Sequence, residues 1–430
     1  MTATLQRGYR LRAYPDRAQA RTLAQWVGCR RWAWNWALET RTQAYEEAGE
    51  TLTSVDLCES IAGHYDERPW LEVVPTCVLQ QALRDQDKAF RSWWRGDARR
   101  PAFAKRGDVQ TARVTLDARH ATKRALWGAG VPVFPDIGVL EVRGRAWPEG
   151  AMPKMATVSR DGLGRWWLSF SLEEAMPVPA IAPEWACGVD AGTSRWLTLN
   201  DGRWLEPPRA WARFEEQMKR LQQRLARQVK GSGRWRRTKR RIARLRARIV
   251  DARRDWVHKA SRWLVDRFEL IGIETLNVRG MTASARGTVE APGSNVRAKA
   301  GLNRAILDAC LGALVSATRY KGQWSQRTVV GVDTWFPSSK RCSSCGVKNT
   351  QLKLSHRTWQ CNGCGTVNDR DVNAAMNIRD EMFRLLGWPA EETQPDHRVR
   401  SEPAGRRAMH ASGHAVRGVS VNTQWAAGSG

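Results

Sequence analysis

Two Cys-x-x-Cys pairs, in the spacing Cys342-x2-Cys345-x15-Cys361-x2-Cys364, constrain the local fold of this chain more tightly than any other feature. Four thiolates so spaced suit a tetrahedral zinc ion at about 2.3 Å from each sulfur, with no coordination position left open. The ion would therefore be structural. Each pair forms a knuckle, and Gly346 by the first and Gly363 and Gly365 by the second permit its tight turn. A redox dithiol needs one such pair in a thioredoxin-like setting, so two pairs speak for metal. The other five cysteines (Cys29, Cys58, Cys77, Cys187 and Cys310) are scattered, as expected of small core residues in a reducing compartment.

Zinc ribbons serve many functions, and the charge narrows them. Seventy Lys and Arg against 43 Asp and Glu give a formal net charge of +27. So large an excess repels itself in the compact state and suits a polyanionic partner, nucleic acid first. The N-terminus carries no signal-peptide apolar region, and no run of about 18 apolar residues stands out as a membrane span. The expectation is an intracellular, cytoplasmic protein with no membrane partner.

Residues 1–15 alternate as a strand does, and Asp16 can cap a helix from Ala18 to about Ala48. Helical character continues through Ser54–His64 and Pro75–Trp94, followed by a basic segment containing Arg100, Lys105 and Arg106. Short strands predominate from Thr111 to Glu173, predicting a small β-barrel or sheet. After the prolines at 177, 179 and 183 come a strand, a hairpin at Asn200-Asp201-Gly202, and a basic helical hairpin over about Arg209–Phe268. Between Met218 and Arg254 it holds sixteen Lys and Arg, among them Arg234, Arg236, Arg237, Lys239, Arg240 and Arg241, against one acid, Asp251. A merely solvated face tolerates mixed signs, so this one reads as phosphate-facing. A strand to Glu274, a Gly/Ala/Ser-rich loop (Gly280–Gly301) suited to a lid, an apolar helix (Leu302–Arg319), a strand (Thr328–Thr334) and a helix (Asn373–Leu386) follow. The tail from Gly387 is expected to be mobile.

Carboxylates at strand ends form the second constellation. Asp190 ends Trp185-Ala186-Cys187-Gly188-Val189, and Glu274 ends Leu270-Ile271-Gly272-Ile273. Asp371 precedes the last helix, whose N–H groups favour an anion. Converging acids repel one another unless cations neutralise them, and two Mg²⁺ about 3.5–4 Å apart would do so. Asp333 and Asp369 compete for the third place, and spacing alone does not choose.

Four blocks in this order resemble the TnpB proteins of insertion sequences and the related type V CRISPR effectors: Gly188-Val189-Asp190-Ala191-Gly192, Ile273 to Met281, Pro337 to Gly346, and Asp369 to Ile378. A looser likeness covers Tyr14-Pro15, Arg30–Asn35 and Ala89–Arg106. The resemblance implies an α+β multidomain protein. A β-barrel wedge domain (1–15 and 111–178) would carry an inserted helical recognition lobe (16–110), beside an RNase H-like RuvC nuclease domain (183–340 and 366–386) with an inserted zinc ribbon (341–365), then the tail (387–430). It selects Asp371 over Asp369 and Asp333 as third catalytic acid beside Asp190 and Glu274. Ala191 stands where relatives often carry a larger residue. The implied function is RNA-guided DNA cleavage, with guide RNA and double-stranded DNA as partners and a short target-adjacent motif read by protein. Rivals are a miniature type V effector, a guide-dependent repressor that does not cut, and an RNA-free resolvase. Trp93 and Trp94, beside Arg91 and Arg95, are the foremost candidates for base stacking.

Overall fold

The computed structural model describes residues 2–107, 110–116, 133–134, 137–144, 153–177, 185–353, 355–388 and 421–422. The chain divides into two compact units, Thr2–Met176 and Pro177–Gly430.

In the first unit, β1 (Thr2–Ala13) leads into α1 (Arg17–Ala48). Asp16 caps that helix, accepting from the Gln19 N–H at 2.8 Å while the Gln19 side chain accepts from the Asp16 N–H at 3.0 Å. Gly49, left-handed at φ 68°, ends it. Then come α2 (Ser54–Ser60), α3 (Thr76–Trp94) and the strands β2 (Gln110–Thr115), β3 (Val133–Phe134), β4 (Gly138–Val139), β5 (Val142–Arg143), β6 (Met155–Arg160) and β7 (Trp166–Pro177). Five of them form one sheet in the order β2-β6-β7-β1-β5, with α1 and α3 sharing its core through Trp26, Leu79 and Leu83 against Leu11, Val158 and Leu168. The small β-barrel or sheet expected here is, among the described residues, this five-stranded sheet. The expected wedge segments 117–132 and 145–152 lie outside them.

The second unit is built on a six-stranded sheet. β8 (Ala186–Ala191), β9 (Leu197–Leu199) and β10 (Trp204–Leu205) run as an antiparallel meander; α4 (Ala210–Ala226) and α5 (Gly233–Arg267) form the basic hairpin. β11 (Leu270–Glu274), α6 (Val278–Met281), α7 (Val296–Ala309), α8 (Leu311–Trp324) and β12 (Thr328–Val332) follow. β13 (Thr358–Gln360) and β14 (Val367–Asp369) pair as a separate ribbon, and α9 (Arg370–Leu385) closes the unit. β15 (Val421–Asn422) pairs with β10, so the sheet order is β12-β11-β8-β9-β10-β15. The remainder of the expected mobile tail, 389–420 and 423–430, lies outside the described residues.

β8, β11 and β12 are parallel neighbours, and β8 and β11 are apolar on both faces, as a doubly covered sheet requires. Ile271, Ile273 and Val189 pack with Leu264 of α5 and Leu314 of α8, while Leu270 packs with Met382 and Phe383 of α9.

Three expectations need correction. The apolar helix over Leu302–Arg319 is two helices, because Cys310 takes a left-handed conformation at φ 54°. By length and composition Val296–Trp324 could cross a membrane, but this break divides it and α8 packs in the core against α5. The Gly280–Gly301 loop stops at Asn295, since α7 takes its end, and it is tied internally by a Gly287–Pro292 bridge and by Gly293 N–H to Arg286 O at 2.8 Å. The last helix starts at Arg370 rather than Asn373, because Asp369 caps it.

Candidate active site and zinc module

Gly188 and Gly272 sit opposite each other on β8 and β11. A Cβ on Gly188 would lie 1.9 Å from the Ala375 carbonyl oxygen, and one on Gly272 would lie 3.0 Å from that of Ile378. The bare glycines thus form the groove in which α9 lies. Side chains alternate along a strand, so Asp190 and Glu274, each two residues beyond a glycine, project on the face that α9 covers. Asp371 is one turn before Ala375 on α9, at its N-terminal end. Three elements remote in sequence thereby bring the three acids to one corner of the sheet.

The electrostatics agree with that placement. Burial raises the Asp190 carboxyl well above the usual range, and the charges of Glu274 and then Asp371 raise it further. Burial also raises Glu274, against a hydrogen bond of 2.6 Å from the Ser338 hydroxyl. Asp371 is buried and faces cations: Arg370 Nη2 lies 3.2 Å from one oxygen and Arg357 Nη1 3.6 Å from the other. The rival acids are employed elsewhere. Asp369 Oδ1 accepts from the Asp371 and Val372 N–H groups at 3.0 and 3.1 Å, and its Oδ2 pairs with Arg195 at 2.8 Å. Asp333 Oδ1 accepts from the Trp335 N–H at 2.7 Å.

The thiolate module is geometrically complete. All four sulfurs lie within 4.8 Å of one another, with Cys342–Cys364 at 3.7 Å and Cys345–Cys361 at 3.5 Å. Sulfurs about 2.3 Å from a tetrahedral ion would stand about 3.8 Å apart, so the set fits zinc. The knuckles repeat: Gly346 N–H donates to Cys342 O at 2.8 Å and Gly365 N–H to Cys361 O at 2.9 Å, both glycines being left-handed. Gly363 is not a left-handed position; a side chain there would press on Val347. The Thr366 hydroxyl pulls the Cys364 thiol down to about 6. Among the described residues these thiolates are the set of three or more candidate ligands so closely gathered, and the three carboxylates are not.

Module and acids are joined through α9, which begins directly after β14. Asn373 and Asn377, one turn apart, each donate to the Arg341 carbonyl at 2.7 Å; Asn377 also donates to the Ser338 carbonyl at 2.7 Å, and the Ser343 N–H donates to Asn373 at 2.9 Å. The loop carrying Ser338 is thus pinned to α9 while its hydroxyl holds Glu274. Reading the sequence for acids and thiols passed over Ser338, Asn373, Asn377 and the glycine pair. The periodicity of Asn373 and Asn377 was the available signal.

The expected nucleic-acid contacts are exposed. Arg234, Arg236, Arg237, Lys239, Arg240 and Arg241 lie on the outer face of α5, with Lys239 4.9 Å over the Trp235 ring. Arg100, Lys105 and Arg106 are exposed on the first unit, with Arg100 5.8 Å over Trp93.

Three family profiles match: "Cas12f1-like, TNB domain" over residues 312–378, "Probable transposase" over 169–285, and "Helix-turn-helix domain" over 1–50. In the last span the structure has a strand and one continuous helix. The chain is 34% identical to the "Putative RNA-guided DNA endonuclease" of Streptomyces pristinaespiralis, covering 88% of this chain and 90% of that protein. It is 31% identical to the "Putative RNA-guided DNA endonuclease InsQ" of Escherichia coli K12, covering 92% and 96%. The fold resembles the protein of a Cas12f1-sgRNA-target DNA complex, with a TM-score of 0.51 at 11% identity, over 87% of this chain and 99% of that one. Fold and site define an α+β protein whose fold resembles that of the Cas12f1 complex protein and whose four-thiolate module lies in the stretch matched by the Cas12f1-like TNB domain. The chain belongs to the TnpB family, related to the type V CRISPR effectors.

Proposed function

We propose that this protein is an RNA-guided DNA endonuclease that cuts at Asp190, Glu274 and Asp371. The observation that carries the reading is the docking of α9 on the Gly188–Gly272 groove, which sets an acid from α9 beside two strand-end acids. The strand order β12-β11-β8-β9-β10, with three parallel strands and an antiparallel meander, supports an RNase H-like RuvC domain. The names of the relatives support guidance by RNA and action on DNA.

The donor set is three hard carboxylates, two of which, Asp190 and Glu274, have pKa values raised first by burial; a cation there would favour their ionised forms, which suits Mg²⁺. When bound, two such ions would supply activation of water and stabilisation of the leaving oxygen. Asp190 and Glu274 would hold the sheet side of that site, with the Ser338 hydroxyl orienting Glu274. Asp371, now facing Arg370 and Arg357, would supply the helix side. The guide RNA would pair with one strand of double-stranded DNA, leaving sequence reading to base pairing beyond a short adjacent motif. The α5 cations would follow phosphates irrespective of sequence. We place this activity in the prokaryotic cytoplasm, at the nucleoid when on DNA.

The test is to sequence the RNA that co-purifies from cells carrying the native locus, reprogram it, and offer plasmids with randomised flanks. Guide-matched cleavage with depletion of particular flanks is expected. Guided binding without cutting would instead favour a repressor, and absence of bound RNA would remove the guided reading.

A further inference from the structure

Trp335 is the most exposed tryptophan among the described residues, with 88% of its surface open. The pair favoured from the sequence is less available: Trp94 is 61% exposed, and both Trp93 and Trp94 pack on Phe90, at 6.1 and 5.7 Å. An indole left almost wholly in water gains nothing from burial, so its side chain is free to meet a partner. Its backbone, in contrast, is firmly held. The Trp335 N–H donates to Asp333 Oδ1 at 2.7 Å, the Phe336 N–H to the Asp333 carbonyl at 3.1 Å, the Ser338 N–H to the Phe336 carbonyl at 2.8 Å, and the Thr334 hydroxyl to the Thr275 carbonyl.

The turn is attached to Glu274 at both ends. Val332, three residues before Trp335, pairs with Glu274 across β12 and β11, and its carbonyl accepts from the Thr275 N–H at 2.8 Å. Ser338, three residues after, hydrogen-bonds the Glu274 carboxylate. Exposed cations lie on the segments that hold the turn: Arg319, which donates to the Thr275 hydroxyl at 3.3 Å, and Lys340, five residues along the chain. An exposed aromatic ring on a firmly held backbone, with cations on neighbouring segments, is how sequence-tolerant sites hold single-stranded nucleic acid, with bases on the ring and phosphates on the charges.

We propose that Trp335 is a stacking platform for a base of the single DNA strand delivered to the carboxylates, setting which phosphodiester reaches Glu274. The proposal rests on the nuclease reading. The test uses the protein with its co-purified RNA reprogrammed to a plasmid, and compares wild type, Trp335→Ala and Trp335→Phe. Guided binding should be unchanged, while Trp335→Ala should slow cutting roughly 5- to 150-fold, the range of one lost stacked base. Trp335→Phe should recover most of the rate. In oligonucleotide duplexes carrying single abasic residues scanned past the cut, one position should slow wild type by a similar factor and Trp335→Ala no further. Wild-type rates in Trp335→Ala, or abasic penalties equal in both proteins at every position, would overturn the platform. Absence of cutting by wild type would overturn the nuclease reading, and this proposal with it.

Discussion

The thiolate centre takes its ligands from one short stretch of chain, Cys342 to Cys364, whereas the carboxylate centre takes its three acids from β8, β11 and α9. The first is assembled already: its sulfurs stand within 4.8 Å of one another. The second is held short of assembly, with two acids raised by burial and the third turned to Arg357 and Arg370. A structural ion belongs where local turns alone can gather soft ligands. An exchangeable ion belongs where the fold brings hard carboxylates together, so that a cation relieves their repulsion. The Asn373–Asn377 clip means that the first centre sets the start of the helix carrying the second centre's last acid.

The largest expected effect is on the reaction. Asp190→Ala should lower guided cleavage at least about 10³-fold, the upper range for losing one preorganised electrostatic group, with binding to DNA retained; filter binding and gel assays separate the two. If cutting persists, the corner of the sheet is not the cutting centre. Cys361→Ala should next remove the bound zinc, measured by plasma mass spectrometry. Structural sites of this kind hold about 10–16 kcal/mol of apparent binding energy. Cleavage should fall with the zinc, because β14 and the N-terminus of α9 lose their anchor; unchanged cleavage would show the two centres to be independent.

Gly188→Ala sharpens the comparison, since it changes neither ligand set. Its Cβ would meet the Ala375 carbonyl oxygen at 1.9 Å, so α9 must shift, at a cost of about 1–3 kcal/mol in thermal or urea unfolding. A displacement of about 1 Å should slow cutting about 10²-fold while zinc content stays constant. Ser338→Ala should slow cutting about tenfold, as expected for one lost hydrogen bond to a charged group, and should raise the Mg²⁺ concentration needed for half-maximal rate.

The smallest effect concerns pH. Asp190 and Glu274 have folded-state values raised above their unfolded ones. Stability is therefore fully present below the unfolded carboxylate range near about 4 and is lost as pH rises through the folded values. Metal-free protein should melt at a lower temperature as pH rises through that window, and Mg²⁺ should restore it. The dependence should weaken in Asp190→Asn. A melting temperature that Mg²⁺ leaves unchanged above the window would argue against a cation site at these acids.

The thiolate centre was legible because its ligand spacing is written along one stretch of chain. Strand ends at Asp190 and Glu274 were legible from the apolar runs before them, but their neighbourhood was not, because parallel pairing joins residues far apart in sequence. Gly188 and Gly272 carried the missing information: only a bare backbone admits α9 so closely. Asp369 and Asp371 could not be told apart by spacing, since either suits a helix start; the structure has Asp369 capping and Asp371 inside the first turn. The break at Cys310 had no signal, as neither Gly nor Pro marks it. Nor did the exposure of Trp335, for a tryptophan beside Phe336 after a strand reads equally well as core.

The most direct test of the central claim is a cleavage assay on a guide-matched supercoiled plasmid, with wild type, Asp190→Ala, Glu274→Ala and Asp371→Ala each loaded with the same RNA. The account predicts cutting by wild type in Mg²⁺, none in EDTA, and near-complete loss in all three variants with binding intact. Cutting by any of the three at the wild-type rate would contradict a single centre made of these acids.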